Sequence, residues 1–458
     1  MSLKERLYNL LPAPLQNAAC TLEGRRIAAR RYAPGFFRTF EAIRFRDRLD
    51  PEETRKLQTE RLRAAMKEAY RRSPYYRRLF DEAGYDPAAA DLQTIARLPI
   101  LKKSTVVERL DEIVNAPRPG EERFVASTSG TTGRGLRFPM TRECEWETWA
   151  VWWRYRHNHG ITFDTWCAVF GSRSVVPLRR NSPPYYRVAA PLRQYLFSMH
   201  HLNERSVAHY VEAFNRHRIP WIHGHPSTIA NFAALMLEKG LRFDYPLRFL
   251  TTGSENLLEH QSELMRRAFG VAPVQHYGLT EPVANISMCE HGRLHIDEDY
   301  ALVELIPVEG LPGRYRVVGT SFSNDAMLFL RYDTNDVVTL AEKQSCPCGR
   351  RSRIVEAIDG REEDYVVTKE GTRIGRLSTI FKELSHIKEA QIHQRADGKV
   401  LFRIVRSEGY GPDDERRLRE EIEKRLHIDY AIDYVVSIPK TKGGKLKFVT
   451  SDYQGKRT

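Results

Sequence analysis

The sequence predicts an α/β protein: a large N-terminal domain with crossover-connected sheets and a β-rich part, then a small α+β C-terminal domain. Three observations lead there. The chain has 458 residues, and single cores stop growing near about 250–300 residues. In its middle, short apolar runs alternate with helical patterns, the rhythm of strands joined by crossover helices. Beyond Arg353, "RIVEAIDGREEDYVVTKEGTRIG" opens a stretch with its own strand–helix–strand rhythm, which sets domains at 1–358 and 359–458.

The elements follow in order. The start, "MSLKERLYNLLPAPLQNAACTLEG", is broken by Pro12, Pro14, Gln16 and Asn17 and does not read as a signal peptide. No run approaches the ~20 apolar residues of a spanning helix, so a cytoplasmic protein is expected. This amphipathic start is expected to pack on the protein body, with peripheral membrane contact as the alternative. Residues 51–85 carry helical spacing with Pro51 at a first turn. "TWCAVFGS", "WIHGH", "RFLTTGS" and "VAPVQHYG" read as strands; "SVAHYVEAFNRH", "PSTIANFAALMLEKG" and "EHQSELMRRAFG" read as the helices between them. A strand-rich part follows in "LHIDEDYALVELIPV", "GRYRVVGTSF" and "LRYDTNDVVTL". The helix "WETWAVWWRYRHNHG" spaces Trp146, Trp149, Trp152 and Trp153 for core packing, and His223 and His225 read as structural histidines.

A formal net charge of +13 favours anionic partners: nucleotides, nucleic acid or an anionic membrane surface. No recognised nucleic-acid-binding module accompanies it, so no nucleic-acid partner is expected. Of six cysteines, Cys20, Cys144 and Cys167 are isolated and read as buried thiols. Cys346 and Cys348 form "CPCGRR" and Cys289 opens "CEHGRLHIDED". A C-x-C pair with a distant Cys/His cluster reads as a metal site rather than a disulfide framework. Three thiolates with His295 or His291 would make a closed, four-ligand Zn²⁺ site, structural rather than catalytic.

"STSGTTGRG" at 127–135 is the chemical centre of the reading. Strand-like "RFVAST" precedes it and helical "ECEWETWAVWWRYRHNHG" follows. Such a loop offers backbone N–H groups and hydroxyls to an anion, and glycine permits close approach; polyphosphate is the natural ligand. It is not a P-loop, because Gly130, Gly133 and Gly135 lead to Leu136 rather than to Gly-Lys-Ser/Thr.

Downstream stand "HYGLTEP" (276–282), "RYDTND" (331–336), "DGREED" (359–364) and "PKTKGGK" (439–445). In this order, with the loop, they resemble the adenylate-forming superfamily of acyl-CoA synthetases and adenylation domains, along the whole chain. "SPYYRRLFDEAG", "LPILKKS", "GHPSTI", "TTGSENL" and "CPCGRR" resemble its phenylacetate–CoA ligase and capsular-polysaccharide-biosynthesis branch.

The resemblance implies that ATP and a carboxylic acid give acyl-AMP and pyrophosphate, and that the acyl group then passes to CoA, or to an amine or hydroxyl acceptor. Ser129, Gly130, Thr131, Thr132 and Gly133 would hold the β- and γ-phosphates. Glu281, after Thr280, would bind Mg²⁺, offsetting the charge of carboxylate against polyphosphate. Asp336 would accept from both ribose hydroxyls; Asn335 stands where the family usually has glycine, and asparagine tolerates left-handed backbone. Gly253, Ser254 and Glu255 would pass the adenine, with Tyr277 stacking on it beside Gly278, and Arg361 would reach ribose or phosphate. Lys445 would bridge the attacking carboxylate and the α-phosphate. It would be delivered by a mobile C-terminal domain, with Glu363 at the hinge. Among zinc-bearing relatives the pattern favours His295 over His291.

Overall fold

The reasons for these elements are local. Asp50 caps the helix Pro51–Arg72 by accepting from Glu52 N and Glu53 N, both at 2.8 Å, with Glu53 completing a capping box. The 51–85 region is two helices rather than one. Ser73 takes an extended conformation before Pro74, as a residue preceding proline must, and its hydroxyl caps Pro74–Glu82 at Tyr76 N, 3.3 Å.

The computed structural model describes residues 3–128, 136–171, 175–361, 366–367, 373–374, 377–381, 384, 386–426, 428–441 and 446–453. They fall into two compact units: Met1–Ile27, Phe163–Gln275 and Glu363–Thr458 form one, Ala28–Thr162 and His276–Glu362 the other. The expected α/β class with crossover helices is borne out.

In the first unit, strands Cys167–Phe170, Gln194–Phe197, Trp221–Gly224, Phe249–Thr252 and the start of Val274–Gly278 run parallel, with Tyr186–Ala189 antiparallel at the edge. Helices Val207–His217, Pro226–Glu238 and Glu259–Phe269 connect them. Alternate strand residues Ala168, Phe170, Ile222 and Leu250 point into one apolar core with Phe214 and Phe232. The same unit holds a second sheet of Tyr430–Tyr434, Val400–Arg406, Ile387–Gln394 and Val449–Ser451. Its core gathers Ile392, Phe402, Leu418 and Ile422. Glu238 joins the two parts, pairing with Lys388 at 2.8 Å and accepting from Glu408 N at 2.9 Å.

The second unit carries an antiparallel sheet in the order Ala301–Pro307, Arg314–Ser321, Tyr332–Leu340, Ile354–Arg361, Leu294–Ile296, Asn285–Met288 and the end of Val274–Gly278. One of its cores packs Leu62, Met66, Tyr76, Phe80, Phe138, Met327 and Phe329. Arg123–Ser127 and Arg137–Thr141 form an antiparallel pair. The 127–135 loop therefore links two strands, and the helix Arg142–Asn158 begins only after the second of them. "RFPMT" alternates, with Phe138 and Met140 buried and Arg137 exposed, a half-buried strand pattern too short to stand out in the sequence. Thr141 caps that helix at Cys144 N, 3.3 Å.

Candidate active site

In the second unit the strand ending at Gly278 meets the bulged strand Tyr332–Leu340. Asp333 pairs with Val318 and Val337 with Arg316, so residues 334–336 stand opposite Val317 alone. The bulge is held from within. Thr334 Oγ1 donates to Val317 O at 2.8 Å, Asn335 N donates to Asp333 Oδ1 at 3.0 Å, and Asp336 N donates to Thr334 Oγ1 at 3.1 Å. Asn335 sits at φ 58°, the left-handed conformation that asparagine accepts with little penalty. The bulge turns Asp336 toward Tyr277, whose hydroxyl donates to Asp336 Oδ2 at 2.7 Å. Burial first, then the Asp336 charge, holds the Tyr277 phenol well above its usual range, so it remains a donor. Arg361 is the register partner of Asp336 on the next strand.

Glu281 is buried and accepts from Tyr332 OH at 3.2 Å, while Thr280 is exposed. Gly278 is required by close approach: a Cβ there would lie 2.8 Å from Asn285 Oδ1 and 3.3 Å from Trp152 Nε1. Those two groups bond each other at 3.0 Å. Trp152 also packs on Trp149 and His276, with centroids at 4.8 and 5.5 Å. Burial, then the Arg156 charge, drives His276 down to about 3, so it is neutral. Trp146 and Trp153 instead anchor their indoles on Arg30 O and Tyr32 OH, at 3.0 and 3.1 Å.

In the first unit, parallel strands Trp221–Gly224 and Phe249–Thr252 end in register, Gly224 beside Thr252. Ligands of open α/β sheets bind beyond such carboxyl ends. Thr251 Oγ1 accepts from Trp221 Nε1 at 2.8 Å and bonds His223 Nδ1 at 2.9 Å. At the same edge Ser227 Oγ, Thr228 Oγ1 and Thr252 Oγ1 are buried without a hydrogen-bond partner among the described residues. Beyond the strand, Ser254 takes φ 69°, a strained conformation of the kind found at ligand-binding turns. Glu255 turns its carboxylate to backbone donors: Ser227 N, at the start of helix Pro226–Glu238, lies 3.2 Å from Oε2, and Leu446 N lies 2.9 Å from Oε1. A carboxylate at a helix N-terminus is favourable. Leu446 directly follows Lys445 in the chain.

Ser129, Gly130, Thr131, Thr132, Gly133, Glu363 and Lys445 lie outside the described residues, as does the side chain of Arg361.

A candidate metal centre lies in the second unit. The ligand atoms of Cys289, His295, Cys346 and Cys348 are all within 4.8 Å of one another. Cys289 Sγ is 3.6 Å from Cys346 Sγ, and Cys348 Sγ is 3.4 Å from His295 Nε2. Tight turns present the thiols: Gly292 N donates to Cys289 O at 2.9 Å, with Gly292 at φ 73° and Gly349 at φ 82°. His295 is fully buried in the strand Leu294–Ile296. Burial, with Arg350 nearby, lowers it to about 4, so its imidazole is neutral, the ligating form. His291 is not in the group.

Sequence reasoning missed the polar network behind this cluster. Arg154 donates to Asp299 Oδ2 at 2.7 Å and Asp297 Oδ1 at 3.1 Å; Arg350 donates to Asp297 Oδ1 at 2.7 Å; Asn285 Nδ2 donates to Asp297 Oδ2 at 2.6 Å. The signal was the acidic run in "HIDED" together with an arginine two residues past Cys348.

Protein CapK of Staphylococcus aureus is 19% identical over 97% of this chain and 99% of its own length. The phenylacetate-coenzyme A ligase of Thermus thermophilus is 25% identical, covering 88% of this chain and 97% of that protein. The chain is similar to these two proteins along most of its length, and the likeness supports the adenylate-forming superfamily. Within it the likeness supports the branch of CapK and the phenylacetate–CoA ligases. The model of the CapK C-terminal domain matches residues 366–452. Among solved structures, 2-hydroxyisobutyryl-CoA ligase in the postadenylation state, in complex with R3-HIB-AMP, shares the fold. The TM-score is 0.69 at 19% identity, over 89% of this chain and 91% of that one.

Proposed function

We propose that this protein is an AMP-forming ligase. It activates a carboxylic acid with ATP to acyl-AMP, releasing pyrophosphate, and then transfers the acyl group to CoA. The observation that carries this reading is the 2.7 Å hydrogen bond from Tyr277 to Asp336 across 59 positions of sequence. It joins "HYGLTEP" to "RYDTND" on one face. Asp336 accepts from the ribose hydroxyls, and Tyr277 lends its ring to adenine while its hydroxyl orients that carboxylate. Loop 253–255 passes the base. Glu281, oriented by Tyr332, supplies the oxygen for Mg²⁺, a hard cation that takes carboxylate ligands and offsets phosphate charge. The 129–133 loop cradles the phosphates. Lys445 comes from a mobile C-terminal domain, 359–458, and bridges carboxylate and α-phosphate.

Two relatives, from Thermus thermophilus and Pseudomonas putida, are named phenylacetate-coenzyme A ligases, which supports CoA as the acceptor. An amine or hydroxyl acceptor is the alternative, which the transfer step below distinguishes from CoA. The Cys289–His295–Cys346–Cys348 group fits structural Zn²⁺ by donor type and spacing. A cytoplasmic location is consistent with the described residues, in which no helix is long and apolar enough to cross a membrane.

The test is acid-dependent exchange between pyrophosphate and ATP over a panel of carboxylic acids, followed by single-turnover transfer to CoA. Lys445→Ala should slow acyl-AMP formation about 10²–10³-fold and spare transfer from supplied acyl-AMP. Absence of acid-dependent exchange in protein that still binds ATP would refute the ligase reading.

A further inference from the structure

The N-terminal helix Ala13–Arg31 is built inside out. Its inward face is polar. Gln16 is fully buried and accepts from Arg187 Nε at 2.7 Å; Asn17 Oδ1 accepts from Val188 N at 3.0 Å; Thr21 Oγ1 donates to Val188 O at 3.2 Å. Gly24, one turn on, lets the helix lie close to the edge strand Tyr186–Ala189, since a Cβ there would meet Ala189 Cβ at 3.4 Å. The outward face carries Leu15, Ala18 and Leu22 at i, i+3 and i+7, all exposed, and Leu22 is 68% exposed. Amphipathic helices of globular proteins do the reverse, burying leucine and exposing amides.

The inversion extends beyond this helix. The preceding helix Leu3–Leu10 exposes Leu7 and Leu10, the latter by 82%, while Tyr8 fixes it to the body through Tyr8 OH to Val175 O at 2.6 Å. Three residues past Val175, Leu178 is 65% exposed. Half of the large exposed apolar side chains among the described residues thus belong to these two helices and the loop they touch: Leu7, Leu10, Leu15, Leu22 and Leu178. Arginines flank them. Arg6, Arg25, Arg26 and Arg179 are exposed, with Arg25 and Arg26 one turn beyond Leu22 on the same stripe.

We infer that this face docks onto an anionic lipid bilayer surface. Leucines inserted at the headgroup boundary recover the apolar burial that the helix does not find against the protein. Flanking arginines reach anionic headgroups, their apolar stems lying along the boundary. The chain's +13 charge adds long-range attraction. A second copy of the chain fits less well, because a two-fold interface would set this arginine-rich patch against itself. Docked this way, the ligase works beside a membrane, the phase in which an apolar acid or a lipid-borne acceptor resides.

Sedimentation of the full-length protein with phosphatidylcholine vesicles, with and without phosphatidylglycerol, tests this. Binding is expected only with phosphatidylglycerol and should weaken as salt screens it. Leu15→Asn with Leu22→Asn should weaken binding at least about tenfold. Arg25→Gln with Arg26→Gln should weaken it about tenfold. All four side chains are exposed, so melting temperature and the Gln16–Arg187 contact should be unchanged, separating loss of docking from loss of fold. Failure of the wild type to bind anionic vesicles would overturn the inference, as would equal binding to both vesicle types. A dimer in solution dissolved by the leucine substitutions would overturn it too, assigning the face to a second copy.

Discussion

Two buried polar assemblies of the second unit have opposite characters. Around Arg154, the guanidinium meets Asp297 and Asp299, and Arg350 and Asn285 close on Asp297 from other strands. Among the described residues each of these buried charges meets an opposite charge. Burial opposes the Arg154 charge, yet the surrounding carboxylates raise it above the usual arginine range, and Arg154 in turn holds Asp299 low. Around Asp336, one phenol orients a half-buried carboxylate on a bulge held by its own threonine and asparagine. The first arrangement is spent on the fold. The second aims a charged acceptor from a bulge, a device that re-aims side chains beside active sites. A buried charge is thus read by where its partners come from.

Breaking the first assembly should have the largest effect on stability. Arg154→Met takes the guanidinium from buried Asp299, while Arg350 and Asn285 still hold Asp297, so a loss of about 3–5 kcal/mol is expected in urea unfolding. A loss within experimental error would mean that the carboxylates find other partners. The candidate metal group adjoins this network through His295 and Arg350. Cys346→Ser with Cys348→Ser should abolish bound zinc, expected at about one per chain, and lower the melting temperature. Metal analysis finding none in wild-type protein prepared without chelators, with both thiols freely alkylated, would remove the zinc.

Asp336→Ala tests the other side of the comparison. It should raise the Michaelis constant for ATP about tenfold or more through lost charge-assisted hydrogen bonds, with little change in melting temperature. The opposite pattern, intact ATP use in a destabilised protein, would make Asp336 a second structural carboxylate.

The smallest effect concerns His260 in the first unit. It is buried beside Phe381, with ring centroids 6.2 Å apart, and both its nitrogens lack partners among the described residues. Burial lowers it to about 4. The unfolded chain takes up a proton as pH falls below about 6.5, and the folded chain does so only near 4, so stability falls across that window. His260→Leu should flatten that part of the urea midpoint against pH. An unchanged slope would place the titration elsewhere.

Much of this protein was legible in the chain of residues. Alternating strand and helix patterns gave the α/β class, because side-chain periodicity is a local property. "HYGLTEP" and "RYDTND" marked the two strands on which Tyr277 and Asp336 meet. C-x-C spacing marked the candidate metal group, since two thiols on one turn can converge with a distant cysteine and histidine.

Tertiary structure decided the rest. Only pairing across the sheet shows that residues 334–336 bulge and turn Asp336 toward Tyr277. The third dimension brings His295, which the resemblance already favoured over His291, into the cysteine group, and only there do Asp297, Asp299, Arg154 and Arg350 become one network. Only packing reveals that Ala13–Arg31 faces outward with its leucines. Periodicity states which residues share a face; which face the protein covers depends on partners far away in sequence, whose positions no local pattern encodes.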